Sequence, residues 1–346
     1  MSGSPLYKTF FVLMAVWVSG VFSPRDLKGQ EGAGMDSATH ALTVYVMKSI
    51  VPLHWESPSS IYKSVRKGYI KKILHHHQYT LGHMAVRLES PEIEKQGYSG
   101  MVSVSQKEKL RLLLKDKIGL AILGTPMQGK IASQEETIEK ITLYEKLGKI
   151  AFIRFLISRE AAHKISLFLE GFERSSGGAL PPSAWYGGAF WPRYHGEGAG
   201  CTAYVMAMLD VAGLLADEHS NWLISVPLPM ELVGGVYNGN KKVHARQVLK
   251  TTSWGAISGD TANRSIPFRI FDNNPAYDWI IARRQEIIDS GNPEYRLATE
   301  GSIPGLITDK RHIVPQAGEP VFMARPDTSI FIDYFHAINK HNFPLN

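Results

Sequence analysis

The sequence predicts an α+β fold, on three observations. "HMAVRLE" (83–89) alternates Met84, Val86 and Leu88 with His83, Ala85, Arg87 and Glu89, the period of a half-buried strand. "SREAAHKISLFLEGF" sets Ala162, Ile165, Phe168, Leu169 and Phe172 along one helical face behind an N-cap at Ser158. Helical spacing starts again at the only cysteine, with Cys201, Val205, Met208, Leu209, Ala212 and Leu215 on one stripe. With 44% hydrophobic and 20% charged residues the balance is that of a globular chain, which excludes disorder on a large scale.

Taken in order, the chain opens with a short polar start carrying Lys8, an apolar run from Thr9 to Phe22, and polar sequence beyond. This is the layout of a secretory signal peptide over residues 1–23, with Gly20 and Ser23 as cleavage points. The run falls short of the ~20 residues of a comfortable membrane span, and a short uncleaved anchor is the alternative. An exported protein, periplasmic or secreted, is expected. A single cysteine excludes an internal disulfide, and a lone thiol in an oxidising compartment asks for a reason. Residues 24–40, rich in glycine and charge and without periodicity, read as a flexible linker. Two further segments follow: a core over 41–219 and a C-terminal α/β extension over 220–346.

"IYKSVRKGYIKKILHHHQ" (61–78) reads as a helix carrying Lys63, Arg66, Lys67, Lys71 and Lys72 and no acid. A solvated basic face is favoured over a membrane-binding helix. His75, His76 and His77 read as loop residues, because no spaced Cys and His pattern supplies a zinc frame; no metal or cofactor is expected. The net charge of +6 favours peripheral contact with anionic surfaces. No nucleic-acid motif accompanies it, and nucleic acid is not an expected partner.

Further strands are expected at "GYSGMVSVSQ", "IGLAILGT" and "KIAFIRFLI", giving a small antiparallel sheet packed on the helix that starts at Cys201. In the extension, "NWLISVPLPMELVGG" reads as a strand and turn. "IPFRIFDNNPAYDWIIARRQEIIDSG" and "PVFMARPDTSIFIDYFHAINKHN" each read as a strand followed by a helix. Asp272 and Asp278 read as turn and capping residues.

Cys201 occupies the first turn of its helix, where unpaired backbone amides and the helix dipole favour a thiolate. Gly196, Gly198 and Gly200 in "GEGAG" would let a carbonyl substrate approach those amides. Chemistry therefore explains a cysteine at this position better than packing does.

The order of "GHMAV", a strand and helix, the "YGGAFWP" loop and "GAGCTAYV" resembles the circularly permuted papain-like cysteine hydrolases. These include NlpC-type cell-wall peptidases and lecithin:retinol acyltransferase-like enzymes, and the likeness covers about residues 61–216. It implies a permuted papain-like fold in which Cys201 is the nucleophile and His83 its general base, forming an acyl-enzyme. The oxyanion would be held by the Cys201 amide, with Tyr186 or His195 as a side-chain donor; loop packing is the alternative role for each. A hairpin centred near Ile93 would bring Ser103 opposite His83 as its orienter, although Ser103 departs from the carboxylate, amide or imidazole usual there. The resemblance implies a secreted cysteine amidohydrolase or peptidase acting on cell-wall peptide. The alternatives are a lipid acyltransferase or deacylase working on an acyl-lipid, and a non-catalytic binding protein that keeps the fold.

Overall fold

The computed structural model describes residues 39–74, 82–94, 96–104, 106–175, 179–255 and 265–339. The expected signal peptide, all but the end of the expected linker, and His75, His76 and His77 lie outside the described residues. No helix among the described residues is long and apolar enough to cross a membrane.

Strand β1 (Ala41–Met47) is buried at all seven positions, as befits a strand covered on both faces. Helix α1 (Pro58–Leu74) is the expected basic helix. Strand β2 (His83–Glu89) runs antiparallel to β1, with Met47 opposite His83 and Ala41 opposite Glu89. The next expected strand is broken at Gly100 into β3 (Gly97–Ser99), which pairs with β2, and β4 (Met101–Ser103), which turns away from it. Helix α2 (Gln106–Leu110) continues as a π-helical turn over Arg111–Lys115.

"IGLAILGT", expected as a strand, is instead a 3-10 turn over Leu120–Leu123. Gly119 enters it at φ 60°, and a Cβ there would lie 2.4 Å from the Leu232 carbonyl oxygen, so extended pairing stops at that glycine. Strand β5 (Met127–Ile131) pairs with β4. Helix α3 (Gln134–Lys146) starts at a capping box made by Ser133 and Glu136. Strand β6 (Ile150–Leu156) and helix α4 (Arg159–Glu173), capped by Ser158, follow as expected.

Strand β7 (Trp185–Tyr186) pairs with β5 ahead of helix α5 (Cys201–Val211). The extension supplies β8 (Leu223–Pro229), α6 (Ala245–Lys250), β9 (Ser265–Phe271), α7 (Asn273–Ser290), β10 (Tyr295–Glu300), β11 (Ile303–Asp309) and α8 (Ile330–Asn339). Asp272 caps α7 by accepting the Asn274 N–H, as read from the sequence, while Asp278 lies within α7 and pairs with Lys48. The strand expected near Val321 is reduced to a single bridge between Tyr194 and Met323.

The central sheet has six strands in the order β10-β11-β6-β1-β2-β3. Neighbours are antiparallel except β11 and β6, which are parallel. The expected small antiparallel sheet is therefore corrected to a larger mixed one. The cause is the extension: β11 hydrogen-bonds directly to β6, so residues on both sides of position 220 build one sheet. The α+β class holds.

Strand alternation divides the core. Val44, Val46, Met84, Val86, Ile153 and Leu306 face one way and pack with Phe168 of α4, Tyr204 and Val205 of α5, and Ile280 of α7. Tyr45, Met47, Ala85 and Phe152 face the other way, against Ile141 and Tyr144 of α3. A separate cluster joins the β8–β9 ribbon to Ile61 of α1 and Phe331 of α8.

Candidate functional site

Helix α5 begins at Cys201 behind Gly200, an extended N-cap that offers no side-chain cap. The amides of its first turn are thus left to water or a ligand. The thiol is half-buried, whereas Thr202, Val205, Met208 and Leu209 are buried. The approach to the helix is fixed by close backbone contact. Ala199 N–H donates to the Trp185 carbonyl, and a Cβ on Gly198 would sit 2.2 Å from that same oxygen, so only glycine fits. Thr202 Oγ1 donates to the Phe271 carbonyl at 2.8 Å.

Charged clamps hold this loop from the C-terminal side. Glu197, 1% exposed, accepts two hydrogen bonds from Arg325, at 2.6 and 2.9 Å, and one from the Trp191 N–H. Arg193, fully buried, reaches Asp210 at 2.6 Å and Glu319 at 2.9 Å. The family likeness that points to the site stops near residue 216, yet Phe271, Glu319 and Arg325 of the extension hold the loop and the helix. The available signal was Glu197 itself, a carboxylate in a loop of glycines and aromatics, which needs a cation if buried.

His83 lies on the other side of the sheet. It shares the parity of Ala85 and of its cross-strand partner Met47, both on the α3 face, while the neighbours Met84 and Val86 carry the face that α5 covers. Its imidazole packs over Gly100, where a Cβ would lie 3.1 Å from Nε2. Burial, and then the Lys140 ammonium of α3, hold its pKa well below 6.5, so the ring is neutral. Among the described residues no hydrogen bond joins Cys201 to His83. The expectation that packing α5 on β2 unites them is corrected by parity: α5 does pack there, onto the alternate residues.

Ser103 is not the orienter either. The register runs Val86 to Ser99, one step from the register that had placed Ser103 opposite His83, and it ends at Gly100; Ser103 pairs with Gly129, and its buried Oγ makes no hydrogen bond. Tyr186 is placed near the helix start, because the carbonyl oxygen of Gly187 lies 3.5 Å from where a Cβ on Gly200 would be; the Lys109 ammonium sits 5.2 Å from the centre of its ring. His195 is exposed. Its N–H donates to the Met323 carbonyl and its ring lies beside Phe322, near the Arg193 cluster that ends on Asp210 at the far end of α5.

Among the described residues the arrangement thus offers a half-exposed thiol at the start of a helix without a side-chain cap, and no base hydrogen-bonded to it. Among the described residues no cluster of three His, Cys, Asp or Glu side chains is placed to hold a metal ion. Compared with protein-family models, with curated proteins and with solved structures, the chain matches none.

Proposed function

We propose that this chain is an exported protein of permuted papain-like ancestry that acts by binding a cell-envelope polymer or lipid rather than by acyl transfer. The observation that carries the reading is the placement of His83 beneath α3, neutral and on the opposite face of the sheet from Cys201. A Cys–His acyl-enzyme scheme needs the imidazole within hydrogen-bond reach of the thiol. The basic helix α1 and the net charge of +6 supply attraction to anionic surfaces in its place. Purified protein should be retained on insoluble cell walls or on phospholipid vesicles, equally for the parent and for Cys201→Ala, with no new product by mass spectrometry. A hydrolysis or transfer product that Cys201→Ala abolishes would overturn the reading.

One observation favours the catalytic alternative, a secreted cysteine amidohydrolase or a lipid acyltransferase. The Cys201 thiol is half-exposed on the first turn of an uncapped helix, where backbone amides could hold an oxyanion. The same product assay decides between the two. Export is tested by N-terminal sequencing of the native product, which should begin between Val21 and Gly32.

A further inference from the structure

Between residues 50–56 and the first three turns of α1 lies a cleft of about 450 Å³, lined among others by Val51, Pro52, His54, Glu56, Lys63 and Lys67. Lys63 and Lys67 stand one helical turn apart on α1, both exposed, and neither ammonium forms an ion pair or hydrogen bond with a described residue. The one acid of the lining, Glu56, is directed at His54, 3.5 Å away. Of the two lining hydroxyls, Ser60 Oγ accepts from Ser57 Oγ and keeps its own proton for a ligand, while Ser64 is committed to the fold. Ser57 Oγ accepts the Ser60 N–H, while Ser64 Oγ donates to the Ser60 carbonyl and accepts the His54 N–H. What the cleft offers a ligand is therefore two ammonium groups unpaired among the described residues and the Ser60 hydroxyl, with Val51 and Pro52 as apolar lining.

We infer that this cleft binds a phosphate group, which names the ligand chemistry of the binding reading above and rests on it. No arginine lines the cleft. A planar carboxylate is best held by the guanidinium fork, whereas two mobile point charges suit the several oxygens of a phosphate. Val51 and Pro52 in the lining take the carbon body that carries it. A phosphodiester of an envelope polymer, an acidic lipid headgroup and a free phosphate ester share this chemistry.

Titration calorimetry of the whole exported chain with inorganic phosphate and with glycerol 3-phosphate tests the site, alongside co-sedimentation with phosphatidylglycerol vesicles. Both soluble probes should bind, and acetate should not displace them. Substituting both exposed lysines, Lys63→Ala with Lys67→Ala, should weaken binding roughly tenfold, equivalent to about 1.4 kcal/mol, without lowering Tm. Vesicle binding lost in the same variant assigns the phosphate to a lipid headgroup; soluble binding without vesicle binding assigns it to a polymer or free ester. Equal binding by parent and double variant, or equal binding of acetate, overturns the site. Failure of both soluble phosphates to bind, with parent and double variant retained alike on cell walls or vesicles, overturns the cleft and leaves the binding reading standing. Phosphate binding without retention on any envelope material does the reverse.

Discussion

The strands β1, β2, β6 and β11 present Leu42, Val86, Ile153 and Leu306 to the helices α4, α5 and α7, an interior without charge. On the α3 face β1, β2 and β6 present Thr43, His83, Arg87 and Arg154. Here Arg87 donates to Glu300 at 2.8 Å and to the Tyr98 hydroxyl at 3.1 Å, Arg154 pairs with Glu89 at 3.0 Å, and Tyr45 donates to Glu300 at 2.6 Å. Burial pushes the Tyr45 phenol far above its ordinary value, so it stays a donor. The first face is held by volume and the second by partners. A one-residue slip of β2 would drive Arg87 and Glu89 among Phe168 and Tyr204, so the charged side fixes the register for both. It fixes His83 as well, which shares the parity of Arg87 and Glu89.

The largest effect that tests this contrast is expected on the apolar side. Leu306→Ala should cost about 2–5 kcal/mol in urea unfolding, because the site is sealed and collapses poorly. A cost below about 1 kcal/mol would mean that β11 is not locked into the core.

The next is a pH effect on the α3 side. His83 is held neutral in the folded chain, while the unfolded chain takes up a proton near 6.5. Below that pH the unfolded state binds more protons, so stability should fall as pH drops through 6.5, by up to about 1.4 kcal/mol per pH unit. His83→Gln should flatten that slope. An unchanged slope would place His83 in water and reopen its pairing with Cys201.

Glu300→Gln should cost only about 1 kcal/mol, since Arg87 keeps Glu89 and the cluster is partly exposed to screening solvent. The smallest effect is expected at Thr43, whose fully buried Oγ1 has no hydrogen-bond partner. Thr43→Val exchanges that hydroxyl for a methyl of similar shape and should leave stability unchanged or slightly higher. A clear loss would reveal a water or ligand on the hydroxyl.

Local signals in the sequence carried much of this architecture. The alternation of 83–89, the Ser158 cap, the helix start at Cys201 and the Asp272 cap all form where spacing and capping chemistry place them. Each depends on residues a few positions apart. Which helix covers which side of β2 depends instead on pairings such as Arg87 with Glu300, far apart in the chain, and that ordering decided the fate of the candidate site. The partnership of Glu197 with Arg325 was hidden for the same reason, and the break at Gly100 shifted Ser103 onto a different strand.

The parallel seam between β6 and β11 also sets the order of events when the chain is made. Until residues 303–309 emerge, β6 keeps an open edge of unpaired amides and carbonyls, with Ile153 and Phe155 uncovered by that strand. The sheet cannot close from the amino terminus as synthesis proceeds. A chain whose largest sheet waits for its last strand keeps that edge open until synthesis is nearly complete, and the long-range pairing that closes it sets the pace of folding.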